Sequence, residues 1–279
     1  VSPDRRALEA RLDRLVTDNR VTIAVVFPLV GAALMLASAW GWLPPALAFQ
    51  PLLLVVGALV MRLPVVATIA PLLNRRAVAA LGALGGYAYL IEFVGVRTGW
   101  PYGRFVYEVA LGPMLPGGVP VGLPLFFVPL VIDAYLLSVL ALGPRSHLAR
   151  YRLPATVAVV LAVDLALDPA AVAVGLWSYA ETGVYYGVPL SNYAGWLLSA
   201  TVGAVLVDLA LSGEALRARL AACPFALDDL LSFALLWGAV ALATGRWIPV
   251  LVVGGFGVAL ARLGRLDFRA TERPGAISE

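Results

Sequence analysis

Six ionisable residues sit within or at the edge of long apolar stretches of this chain: Arg62, Glu92, Asp133, Asp164, Asp168 and Asp208. An ionisable side chain surrounded by hydrocarbon is costly, and it marks either function or a buried pair. Both readings stand for each residue, and Arg62 is a natural counter-ion for one of the carboxylates. Asp164 and Asp168 are four apart, hence on one helix face, and Pro169 strains the helix beside Asp168 and frees a carbonyl. Glu92 and Asp168 each lie just before a segment crowded with aromatic residues. A carboxyl in such poorly hydrated surroundings stays protonated near neutrality and can serve as an acid. A second carboxylate in a wetter place can position or deprotonate water.

The two aromatic segments echo one another. Residues 92–125 run EFVGVRTGWPYGRFVYEVALGPMLPGGVPVGLPL, and residues 168–198 run DPAAVAVGLWSYAETGVYYGVPLSNYAGWLL. In each, an acid (Glu92 or Asp168) is followed about two helical turns later by Trp-x-Tyr, Trp100/Tyr102 or Trp177/Tyr179. A second acid, Glu108 or Glu181, and a Gly-Val-Pro turn complete the pattern. The pair reads as a degenerate duplication or as two loops shaped for one pocket. Trp100, Tyr102, Tyr107, Trp177, Tyr179, Tyr185, Tyr186, Tyr193 and Trp196 would line that pocket. The alternative is an interfacial belt, where Trp and Tyr collect on any membrane protein.

The elements that must hold these residues are transmembrane helices. Of 279 residues 61% are hydrophobic and 13% charged, with a mean hydropathy of +0.90. Such a balance excludes an ordinary soluble domain, and no long alternating segments suggest a barrel. Candidate spans fall at 21–42, 47–73, 77–97, 121–142, 154–176, 191–211, 228–244 and 247–262, so the expected fold is an all-α polytopic bundle of eight helices, or seven if the short last pair fails. Most arginines fall on the side of the N-terminus, with Arg97, Arg104 and Arg246 opposite; this places both termini in the cytoplasm. Residues 1–20 read as an amphipathic segment lying on the membrane surface or as a solvated helix, 21–265 as one helical domain, and 266–279 as a tail.

Several chemistries are excluded or unsupported. All 20 basic residues are arginine, so a Schiff-base lysine is absent. One cysteine (Cys223) and one histidine (His147) argue against a disulfide or a Cys/His metal site, and no metal is expected. No phosphate loop, dinucleotide fingerprint, HExxH, GxSxG, CxxC or DDxxD motif is present. Asp228-Asp229 reads as a helix cap, and Gly254, Gly255 and Gly257 as close-packing positions.

The stretches GVRTGWPYGRFVYEVALGPMLPGGVPVGLPL and LDPAAVAVGLWSYAETGVYYGVPLSNYAGW resemble the two signature regions of the carotenoid hydratase family of the CruF type, over about residues 80–210. The resemblance implies a polytopic enzyme that adds water to terminal C=C bonds of an acyclic carotenoid dissolved in the bilayer. Haloarchaeal members make bacterioruberin. It implies no cofactor; other carotenoid biosynthesis enzymes are candidate partners, and nucleic acid is not one. Residue roles remain inferences from this chain. Asp168 or Glu92 is the expected proton donor, with the other or Glu181 orienting water. Asn192 and Tyr186 are expected to hydrogen bond the water or the new hydroxyl. A non-catalytic carotenoid or lipid carrier, a secondary transporter, and a carotenoid cyclase remain alternatives.

Overall fold

A computed structural model describes residues 3–115 and 117–268. The expected tail therefore lies outside the described residues from 269 onward, as do Arg269 and Arg273.

The described chain is helical apart from two small antiparallel sheets. In order it comprises α1 (Pro3–Asp18), a π-helical turn (Thr22–Val26) running into α2 (Phe27–Ala39), α3 (Pro51–Met61), α4 (Leu63–Ile69) and α5 (Arg75–Thr98). Then follow β1 (Phe105–Tyr107), β2 (Met114–Leu115), β3 (Val119–Pro120), α6 (Leu123–Leu142), α7 (Ala149–Ala173), β4 (Trp177–Tyr179), α8 (Leu190–Leu211), α9 (Glu214–Ala222), α10 (Asp228–Ala243) and α11 (Trp247–Arg262).

Each of the eight expected spans corresponds to a helical segment, but not all are long enough to cross unaided. Among the described residues five helices are long and apolar enough, and a sixth if α3 and α4, bent by 41°, form one broken span. Helices α10 and α11 have 16 residues each, about 24 Å of helix against a hydrocarbon core of roughly 30 Å. The outer faces carry exposed Leu52, Leu59, Leu90, Leu197 and Leu251, an apolar surface suited to lipid. Helix α6 is the axis of the bundle: Pro129 through Val139 are all buried, as expected of a helix that is hydrophobic all round.

Buried charges fasten distant segments of the bundle together. Arg20 makes bonds of 2.6 and 2.8 Å to Asp228 and donates to the carbonyls of Pro224, Arg265 and Asp267. Arg62, at the bend between α3 and α4, pairs with Asp229 through Nη1, and Asp133 lies against the same pair. The cap expected at Asp228-Asp229 is thus corrected. Both residues open α10, but each is buried and neutralises an arginine distant in sequence, Arg20 or Arg62. Asp208 is likewise paired, accepting from Arg152 Nε at 2.5 Å and Tyr135 at 2.7 Å. Helix α1 packs on α4 through Leu12 and the buried Val16, while Leu8 and Leu15 stay exposed. Arg5 donates to the carbonyls of Ala70 and Leu73 just beyond α4, and Arg219 donates to those of Ala67 and Thr68 and binds Asp13.

Candidate active site

The two aromatic loops form one structure. β1 pairs with β4 in the register Phe105↔Tyr179, Val106↔Ser178, Tyr107↔Trp177. Alternate strand residues face opposite sides, so Phe105, Tyr107, Trp177 and Tyr179 line a cavity while Val106 is exposed. The two loops thus meet in one sheet, but not in the alignment that the repeated Trp-x-Tyr suggests. The partner of Trp177-x-Tyr179 is Phe105-x-Tyr107, because strand pairing and not the Trp-x-Tyr spelling sets the alignment. Trp100 stands 59% exposed outside the cavity.

Each strand reaches back to the acid that precedes it. The Tyr107 hydroxyl donates to Glu92 Oε1, and the Tyr179 hydroxyl donates to Asp168 Oδ2 at 2.6 Å. Burial first, and then the adjacent Glu92 carboxylate, push the Tyr107 phenol well above its ordinary pKa; burial and Asp168 do the same for Tyr179. Both phenols therefore stay protonated and act as donors. Glu92 and Asp168 lie about 8 Å below the loop ends of α5 and α7 and within electrostatic reach of one another.

Asn192, in the first turn of α8, joins the acids of α7. Its Nδ2 donates to Asp168 Oδ2 at 2.6 Å and to Asp164 Oδ2 at 3.1 Å. The two carboxylates fix the orientation of the amide, since its oxygen would be repelled there. None of Glu92, Asp164 and Asp168 forms an ion pair among the described residues, whereas Arg62 and Asp208 do. No group of three His, Cys, Asp or Glu side chains suited to a metal occurs among those residues.

The cavity has a volume of about 350 Å³, within the roughly 300–1,000 Å³ usual for ligand pockets. Apart from Glu92, Asp168, Asn192, the tyrosines and a few groups such as Arg62, its walls are apolar. Leu34, Leu47 and Leu53 line it and are also exposed on the outer surface, so its mouth opens between α2 and α3, where lipid would lie. Opposite, Trp196 stacks on Phe127 with centroids 5.6 Å apart, and Tyr102 leans on Trp196. The buried Tyr102 ring sits in a slot between Gly95 of α5 and Gly195 of α8, its hydroxyl 2.6 Å from Ser199 Oγ.

The structure thus brings Glu92, Asp168, Asn192, Tyr102, Tyr107, Trp177, Tyr179 and Trp196 to one cavity and leaves others outside. Glu181 is exposed on the turn after β4 and does not line the cavity. Tyr186 turns away: its hydroxyl accepts from the Ile248 amide at 3.4 Å and its ring lies under Arg246. Expected roles for these two at the water are corrected on that ground. Tyr185 and Tyr193 lie behind Asn192 rather than in the cavity wall. Phe105, Phe127, Ser199, Gly95 and Gly195 are parts of the wall or its support that spacing alone did not single out. Nothing in local spacing marks the two glycines; the Tyr102 ring packed between them is what requires them.

An apolar, lipid-facing cavity with cation-free carboxyls and aromatic walls defines a membrane protein built to act on a hydrophobic chain. Residues 49–260 match the family described as carotenoid biosynthesis protein, and the chain belongs to that family. It is 56% identical over 263 residues to the bisanhydrobacterioruberin hydratase of Haloarcula japonica, covering 94% of this chain and 89% of that protein. No solved structure matches.

Proposed function

We propose that this protein is a carotenoid hydratase, a hydro-lyase acting in the hydration direction, that converts bisanhydrobacterioruberin to bacterioruberin in the cell membrane. We further propose eight spans with both termini cytoplasmic, α10 and α11 crossing as a short pair. The substrate end slides from the bilayer between α2 and α3 into the cavity, which explains an enzyme with so little aqueous domain.

The observation that carries the reading is the pair of buried acids, Glu92 and Asp168, neither in an ion pair among the described residues, at an apolar, aromatic-walled cavity. Hydration of a trisubstituted alkene needs an acid, shelter for a cation, and one water. Asp168 Oδ2 already accepts from two donors, Tyr179 and Asn192, which hold it in a fixed orientation. Glu92 accepts from Tyr107 alone. We therefore assign Glu92 as proton donor to the less substituted carbon and Asp168 as the carboxylate that orients water. The π electrons of the alkene take the Glu92 proton and leave a tertiary cation, held by cation–π attraction to Tyr107, Trp177 and Trp196. Water then forms the C–O bond and gives its proton to Asp168; proton exchange with solvent resets both acids. The reaction as written consumes no redox equivalent.

Glu92→Gln and Asp168→Asn, each in membranes supplied with the anhydro carotenoid, test this assignment by product mass. Each is expected to lose about a hundredfold or more in hydration at normal protein level. Unchanged hydration in both would remove these residues from the chemistry.

A further inference from the structure

Two buried polar atoms stand unpaired on the far side of Asn192 from the cavity. Asp164 is fully buried, and its Oδ1 has no hydrogen-bond partner among the described residues; the Tyr193 hydroxyl is in the same position. Both adjoin Asn192: its amide donates to Asp164 Oδ2 at 3.1 Å, and Tyr193 is the next residue of α8, its ring 5.8 Å from that of Tyr185, whose hydroxyl donates to the carbonyl of Leu165 beside Asp164. Leaving either atom unsatisfied in low dielectric costs on the order of 1–3 kcal/mol, and native proteins meet such groups with ordered water.

We propose that Asp164 and Tyr193 form a water-binding site that supplies the hydration step. The water accepts from the Tyr193 hydroxyl or donates to it, and donates to Asp164 Oδ1. This rests on the assignment of Asp168 and Asn192 to the hydration centre. Asn192 and Asp168 line the cavity, whereas Asp164, Tyr193 and Tyr185 do not. The Asn192–Asp168 hydrogen bond is therefore a partition, with the apolar substrate on one side and the water site on the other.

The same arrangement accounts for the aromatic turn above it. Tyr185 packs edge-on against Tyr193 at 5.8 Å and against Tyr186 at 5.0 Å, and its hydroxyl donates to the carbonyl of Leu165, the residue after Asp164. The turn is tightly specified: a Cβ on Gly183 would lie 1.9 Å from the Val188 carbonyl oxygen, and Tyr186 holds a positive φ of 52°. Val184 at its tip is 86% exposed. The turn thus packs its aromatic rings over Tyr193 and against the stretch of α7 that carries Asp164, and neither Tyr185 nor Tyr193 lines the cavity.

A cation formed where water is scarce does not persist. It returns a methyl proton to the Glu92 carboxylate and leaves the isomeric alkene, with its double bond shifted to the former methyl carbon. In deuterium oxide this proton loss leaves deuterium in the unhydrated carotenoid, because Glu92 delivers a deuteron and takes back a proton. Membranes bearing the full-length protein, incubated with the anhydro carotenoid in deuterium oxide, report both fates by mass.

Tyr193→Phe and Asp164→Asn are expected to lower hydration about tenfold or more while the unhydrated carotenoid still gains deuterium. Hydration and exchange falling in parallel, or hydration unchanged, would overturn the water site. Should Asp164→Asn fail to accumulate, Tyr193→Phe, which removes a single oxygen, decides alone. The Glu92→Gln control loses both fates if the proposed acid is right; if it hydrates normally, the underlying assignment fails whatever the water-site variants do.

Discussion

An alanine at position 195 places its Cβ 2.4 Å from Cδ1 and 2.9 Å from Cε1 of Tyr102, and 3.0 Å from the Pro101 carbonyl carbon. Ordinary contact begins at 3.4 Å, so the ring must retreat by about 1 Å. It has little room. Gly95 closes the other side of the slot, where a Cβ would stand 3.2 Å from the ring, and the hydroxyl is tied to Ser199 at 2.6 Å. Overpacking of this kind costs about 1–3 kcal/mol, and loss of the Ser199 bond adds about 1 kcal/mol, giving roughly 2–4 kcal/mol for Gly195→Ala. Displacing Tyr102 also disturbs Trp196, so hydration should fall as well. The assay is thermal unfolding in detergent, run as a double-mutant cycle with Tyr102→Ala. Once the ring is gone the alanine has only Pro101 to meet, and most of its cost should vanish, a coupling above about 1 kcal/mol. Equal cost in both backgrounds would refute the slot.

Arg62→Met should destabilise by about 3–5 kcal/mol, because Asp229 and Asp133 then lie buried without their cation, and adding Asp229→Leu should restore part of the loss in the same unfolding assay. Tyr179→Phe removes one of two donors to Asp168 Oδ2; at about 1.5–3 kcal/mol for a bond to a charged group, hydration should fall about tenfold or more with protein level unchanged. Glu181→Gln and Tyr186→Phe, both outside the cavity, should hydrate within about twofold of the parent protein in the membrane assay, since surface changes away from a site rarely exceed ±0.5 kcal/mol.

Hydropathy located every helix that frames the cavity, because twenty-odd apolar residues have few other uses. The acids Glu92 and Asp168 were legible for a similar reason: a carboxyl inside such a run demands explanation. Partnerships were not legible. Arg62 and Asp229 are separated by 167 positions, and nothing in local spacing says that α10 starts against the bend after α3. The aromatic echo pointed to one pocket, yet the phenols that reach the acids are Tyr107 and Tyr179, a match set by the β1–β4 register. Similarity of composition concealed the division of labour among the tyrosines. Tyr107 and Tyr179 hold acids, Tyr102 fills a glycine slot, and Tyr185 and Tyr193 stand behind Asn192; only the packing of α8 on α5 and α7 separates these roles.

The most direct test of the account is hydration in water enriched in heavy oxygen. Membranes containing the protein, given bisanhydrobacterioruberin, should yield carotenoid that has gained one labelled water at each hydrated end, with the label in the new tertiary hydroxyl. A product of unchanged mass, as in cyclisation, or a hydroxylated product carrying no label from water, would contradict it.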